Sequence, residues 1–240
     1  MSRDPKELII TREHAKWRDS GSNYTKEAVE RVLEVMSNDM LTSHRESGEG
    51  RVRASMLGDV CKRRQQLSFR GFTAGHFSPS TLEIFDTGTF AHYKWQLRGL
   101  SAGWLRDIEV PVFTDDHLGG NLDGVMSDGS VFEFKTINPQ GFKKVLAEGA
   151  LPSHVLQAHS YMHALEVDRA HILYEDKSWG TSHHEVVVHS DPETMAHLFL
   201  IRDLVAGQHE LEPLADCVKA TGKIFEYCEW HAVCRPQDWR

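Results

Sequence analysis

Glu133 and Lys135 stand two apart in the β-branched and aromatic run Val131–Ile137, and on a strand the side chains of residues i and i+2 share a face. A carboxylate and an ammonium are thereby set side by side. Ten residues before Glu133, Asp123 sits in the run Gly119-Gly120-Asn121-Leu122-Asp123-Gly124-Val125. If a hairpin brings Asp123 alongside, two carboxylates can bind a hard divalent cation such as Mg or Mn, while Lys135 orients water or offsets charge on a phosphate. An ordinary surface ion pair on a hairpin would carry the same Glu-x-Lys triplet, so the pattern needs company. Gly88, His92 and Gln96 recur four apart, which puts His92 on one helix face beside a residue with no side chain and leaves room for a ligand. A lone helical histidine is more often solvated, and fifteen histidines occur in the 240 residues. Gln157 and Tyr161, also four apart, form a polar stripe beside Val155, Ala158, Met162 and Leu165 and suit phosphate or base contacts.

The second chemical group is the cysteines: Cys61 alone, and Cys217, Cys228 and Cys234 in the tail. Four thiols in a chain of this length are sparse for a disulfide scaffold, and the chain is long enough to bury a core without staples. In a reducing compartment such a set points to a bound metal, and the weakly periodic tail from Glu212 to Arg240 needs one to order it. The net charge of −8 excludes a protein that coats nucleic acid indiscriminately, yet the charge is uneven. Arg51 to Arg70 holds six basic residues against Asp59, with Lys62, Arg63 and Arg64 adjacent, while Ile108 to Lys135 holds six acidic residues against Lys135. A basic strip beside an acidic pocket suits a metal enzyme acting on polyanions. With no apolar run near the roughly 20 residues of a membrane span and no signal-peptide core after Met1, the sequence predicts a soluble, cytoplasmic protein with no membrane partner.

These residues need elements to position them. Helical spacing predicts one helix within Tyr24–Leu41, bracketed by Ser/Gly-rich joints, so that residues 1–50 read as a loosely packed helical arm and residues 51–240 as the main domain. A second helix is expected over Ser80–Leu100 with Ser80 as its N-cap. Three strands follow, Trp104–Phe113, Gly120–Met126 and Val131–Ile137, the last two joined by a Ser127-Asp128-Gly129 turn. Pro152 opens a helix to about Glu166, and strands at Ala170–Glu175 and His184–His189 precede a helix over Pro192–Ala206. That order predicts an α/β or α+β domain with a mixed sheet flanked by helices.

Taken in order, Gly88-x-x-x-His92, Gly120-x-x-Asp123, Glu133-x-Lys135 and Gln157-x-x-x-Tyr161 resemble the motif series of RecB-type nucleases of the PD-(D/E)xK superfamily. One cysteine before these motifs and three after resembles the iron-sulfur subgroup shared by AddB-type nuclease domains and CRISPR-associated RecB-like exonucleases. The resemblance implies a restriction-endonuclease-like fold in which His92, Asp123, Glu133 and the Phe134 carbonyl hold the catalytic metal and Lys135 helps activate water. Gln157 and Tyr161 would contact DNA or support the site, and an imidazole ligand suits Mn better than Mg. It further implies a 4Fe-4S cluster on Cys61, Cys217, Cys228 and Cys234 that joins the ends of the domain. Cys228 and Cys234 have the family's spacing, whereas ten residues separate Cys217 from Cys228 where the family usually has two. Zinc on the four thiols, or on three plus His231, is the alternative.

The expected function is therefore a metal-dependent DNA exonuclease, guided by Lys62, Arg63 and Arg64 and biased toward single-stranded ends by aromatic neighbours such as Phe69 and Phe72. CRISPR adaptation beside an integrase, recombination and phage DNA metabolism would all use these motifs. A non-catalytic DNA-end-binding module and a redox sensor are the competing classes.

Overall fold

The structure, a computed structural model, describes residues 4, 6–41, 50–59, 61–72, 75, 77, 79–178, 182–207, 210, 211 and 228–234. Its centre is a six-stranded mixed sheet of β1 (Val52–Arg53), β2 (Leu105–Phe113), β3 (Leu118–Met126), β4 (Val131–Ile137), β5 (Arg169–Asp176) and β6 (His183–His189). The β1–β3 and β4–β5 pairs are parallel, and β2–β3, β3–β4 and β5–β6 are antiparallel. The helices are α1 (Ile9–Asp19), α2 (Lys26–Leu41), α3 (Lys62–Phe69), α4 (Pro79–Ala102), α5 (Pro139–Glu148), α6 (Pro152–Leu165) and α7 (Pro192–Gly207), with a helical turn at His231–Cys234.

Alternation along β4 assigns the two faces. Val131 points into a core built with Tyr161 and Met162 of α6, Phe142 and Val145 of α5, and Ile172 and Tyr174 of β5. Phe132 and Phe134 point the other way, into a core with Tyr93 and Trp95 of α4, Ile10 of α1 and Val32 of α2. Glu133 and Lys135 thus belong to the α6 side and His92, on α4, to the opposite side.

The register of β3 explains how both sides reach one place. β2 pairs along one edge of β3 from Gly119 to Met126. On the other edge β1 pairs only with Leu118 and Gly119, and β4 only with Gly124 and Val125. Among the described residues, 120–123 therefore have no strand neighbour on that edge, and β3 and β4 part there. The β3–β4 hairpin closes through Gly129, whose φ of +88° is one that side chains resist.

The expected elements from residue 104 onward are present within a residue or two, and the structure corrects five points. Ser80 lies inside α4, which starts at Pro79, and so does not cap it. Among the described residues two helices, α1 and α2, precede residue 50 where one was expected. They are docked rather than loose: the backbone N–H groups of Ile10 and Thr11 donate to the buried Glu185 carboxylate at 3.1 and 2.7 Å, and Tyr93 donates to Asp39 of α2 at 2.7 Å. The helix α5 is additional, capped by Asn138, whose side chain accepts from Gly141 N–H at 2.7 Å. The two-residue β1 is additional as well. Residues 212–227, including Cys217, lie outside the described residues.

Candidate metal-binding active site

The parting of β3 and β4 frees backbone groups, and side chains take them up. Asp123 Oδ2 accepts the Phe134 N–H at 2.6 Å, filling the place of a lost ladder bond. Gln96 of α4 donates to the Asp123 carbonyl at 3.0 Å. Tyr161 of α6 donates to the Asn121 carbonyl at 2.8 Å, and Gln157 Nε2 stands 3.5 Å from the same hydroxyl. The glycine at 120 is required by this arrangement, because a Cβ there would lie 2.9 Å from the Tyr161 hydroxyl. Gly88 has no such constraint: its nearest neighbour would be Thr136 Oγ1 at 3.8 Å.

Into this opening come the acids. His92 Nδ1 is 3.3 Å from Asp123 Oδ1. Glu133, 1% exposed, accepts from Lys135 Nζ at 2.5 Å through Oε1, while its Oε2 is buried without a hydrogen-bond partner among the described residues. A third carboxylate, which sequence reasoning missed, completes the group. Glu109 of β2 is held by Gln96 Nε2 at 2.6 Å, and ligand atoms of His92, Glu109 and Asp123 lie within 4.8 Å of one another. Its φ of +47° in mid-strand is the left-handed region. The break in alternation is visible on either side, since Ile108 packs in the α4-side core and Val110 against the α6-side core.

The charges are strongly coupled. Burial, reinforced by the Asp123 charge, pushes the Glu109 and Glu133 carboxyls up to about 7. Burial would also raise Asp123, but the His92 and Lys135 charges and the Phe134 N–H outweigh it and hold that carboxyl below its ordinary value. His92 is correspondingly raised by Asp123 against the effect of burial, and Lys135 by Glu133 and Asp123. His92, Glu109 and Asp123 form a donor set that a hard divalent cation would satisfy, and the Glu133 carboxyl, which resists ionising beside Asp123, crowds the same opening.

The other expected site lies on α3. Arg64 is drawn inward, with Nη2 2.6 Å from Glu229, Nη1 2.8 Å from Asp59 and its guanidinium 5.8 Å from the Trp230 ring centroid. Lys62 Nζ donates to the carbonyls of Asp59 at 3.0 Å and Leu57 at 3.5 Å, and burial lowers its pKa. Trp230 donates to the Phe72 carbonyl at 3.3 Å, and Gly75 N–H to the Glu229 carbonyl at 2.5 Å. These contacts seat residues 228–234, with Cys228 and Cys234, against the helix that begins after Cys61. Arg63 is half-buried on the same helix.

No protein-family model matches the sequence, and no curated protein matches it. Solved structures do match. The alkaline exonuclease (LHK-Exo) of Laribacter hongkongensis superposes with a TM-score of 0.53 at 16% identity, over 66% of this chain and 87% of that one. The same enzyme in complex with dAMP gives a TM-score of 0.54 at 16% identity, over 75% of this chain and 96% of that one. The chain has the restriction-endonuclease-like fold. At this identity the likeness concerns the fold, and the chemistry rests on the residues. Among the described residues no helix is long and apolar enough to cross a membrane.

Proposed function

We propose that this protein is a divalent-metal-dependent nuclease that hydrolyses the phosphodiester backbone of DNA from its ends. The observation that carries this reading is the convergence of His92, Glu109 and Asp123 at the parting of β3 and β4, beside the Glu133–Lys135 pair. His92, Glu109, Asp123 and Glu133, with the Phe134 carbonyl, would hold the cation, which supplies Lewis-acid polarisation of the phosphoryl group. Lys135, anchored by Glu133, orients the attacking water and offsets phosphate charge. Gln96 positions Glu109 and the Asp123 backbone, and Tyr161 with Gln157 keeps the β3 backbone open. The dAMP complex of the fold neighbour supports a nucleotide substrate.

Cys61, Cys228 and Cys234, joined by Cys217, would hold a 4Fe-4S cluster with a structural role, since hydrolysis needs no electron transfer; zinc is the other ion that four thiolates accept. Lys62 and Arg63 would guide single-stranded ends, with Arg64 serving as a clamp. The purified protein is expected to be brown when prepared without oxygen and to degrade linear but not closed circular DNA with Mn or Mg. Failure to cleave any DNA with either ion, in a folded and metal-binding preparation, would overturn the nuclease reading. Zinc without iron would overturn the cluster and leave the nuclease standing.

A further inference from the structure

His154 stands in the first turn of α6, and His154, Gln157 and Tyr161 recur at i, i+3 and i+7, a single stripe of that helix. Its Nδ1 is 2.9 Å from the Tyr174 hydroxyl, and that hydroxyl also accepts the Leu151 N–H at 3.1 Å. Tyr174 is fully buried, and among the described residues its hydroxyl has no third partner. If the imidazole donated through Nδ1, the phenolic proton would be buried with no acceptor. The arrangement that satisfies every group runs from Leu151 N–H to Tyr174 O–H to His154 Nδ1. It leaves the ring proton on Nε2, which has no partner among the described residues.

The place of this N–H is set by the sheet. Tyr174 is the register partner of Lys135 in the parallel β4–β5 pair. Lys135 in turn is bound to Glu133. Burial, aided by the Lys135 charge, brings the imidazole down to about 3, so it stays neutral in any ordinary buffer. A nitrogen that carries a proton cannot ligate a cation, so His154 is not a further metal ligand. A fixed neutral donor beside an ammonium, at the amino end of a fourteen-residue helix, matches an anionic oxygen.

We infer that His154 binds substrate directly, its Nε2–H donating to a non-bridging phosphate oxygen of the nucleic acid next to Lys135. This rests on the nuclease reading for the identity of the ligand, and it adds a contact that neither the metal ligands nor the Gln157–Tyr161 pair supplies.

Two measurements test it on the full chain. In the first, two-bond proton–nitrogen spectra of protein labelled with ¹⁵N-histidine should show His154 as the Nε2–H tautomer, unchanged between about pH 8 and pH 5. Its Nε2 signal should move when dAMP is added with Mg. An Nδ1–H tautomer, protonation within that range, or no response to dAMP overturns the inference. In the second, His154→Ala should slow cleavage of linear DNA with Mn by about tenfold to a hundredfold, the scale of one hydrogen bond to a charged group, with Mn affinity unchanged. His154→Gln, which returns an N–H at similar reach, should recover most of the rate. An alanine variant that cleaves at the wild-type rate overturns the inference. A wild-type protein that cleaves nothing defeats the nuclease reading instead, and the dAMP response then decides the role of His154; the spectra decide likewise if the alanine variant does not fold.

Discussion

The opening between β3 and β4 and the α3 closure each gather charged residues from distant parts of the chain, and they leave those charges in opposite conditions. On α3, Arg64 is matched by Asp59 and Glu229, and Lys62 by two carbonyls. In the opening three carboxyls share two basic side chains, His92 and Lys135, Glu133 Oε2 has no hydrogen-bond partner among the described residues, and Glu109 is held in a left-handed backbone. A satisfied network holds segments together; an unsatisfied one is a site that expects something to bind. Changes in the first region should therefore be read in stability and changes in the second in activity.

The largest effect is expected in the opening. Asp123→Asn and Glu133→Gln should each lower DNA cleavage by about a thousandfold or more, because several kcal/mol of charge stabilisation is lost. Melting temperatures should stay within about 3 °C of wild type, since the asparagine can still accept from Phe134 N–H. Asp123→Ala, which orphans that N–H, should cost about 1–3 kcal/mol in addition. A thermal melt separates the two substitutions at this position.

In the closure the expectation is reversed. Arg64→Ala leaves the buried Glu229 and the half-buried Asp59 without their cation, at about 3 kcal/mol, a fall of roughly 10 °C for a chain of this size. Cleavage per folded molecule should be retained at temperatures well below the melt. A normal melting temperature with lost activity would mean that Arg64 serves DNA after all.

A pH series sharpens the contrast. Glu109 and Glu133 are held near 7, so an entering cation must displace their protons. Mn affinity should therefore weaken as pH falls below about 7, by up to tenfold per pH unit for each proton displaced, and level off above it. Calorimetric titrations at pH 6, 7 and 8 measure this; an affinity flat across the three would contradict the crowding of the carboxyls.

The smallest effect concerns the basic strip. With Arg64 engaged, replacing Lys62 and Arg63 by alanine should reduce the salt dependence of single-stranded DNA binding by only about one counterion, at roughly 0.7 per phosphate contact. An unchanged slope would exclude α3 from the DNA path.

Much of the opening was legible because local pattern dictates it. The two-residue period of Val131–Ile137 places Glu133 with Lys135, the Ser127-Asp128-Gly129 turn returns Asp123 to them, and four-residue spacing aims His92 and Gln96 together. What escaped depends on distant partners. Glu109 reads as one more residue of a regular strand, and nothing in its neighbours announces a φ of +47°. The start of α1 lacks a capping residue at Leu8 because its cap is the Glu185 carboxylate, 175 residues from Ile10. The Lys62-Arg63-Arg64 run looked exposed until Glu229, 165 residues further on, was placed against Arg64. Asn138-Pro139 did carry a readable helix start for α5, hidden by the brevity of the helix behind it.

The most direct test of the central claim is the digestion of end-labelled linear DNA by wild-type and Glu133→Gln protein, first in chelator and then in Mn, with circular dichroism confirming that both are folded. A nuclease centre at the parting of β3 and β4 predicts no digestion in chelator, progressive loss of label by the wild type in Mn, and none by the variant. Digestion by Glu133→Gln at the wild-type rate would contradict it.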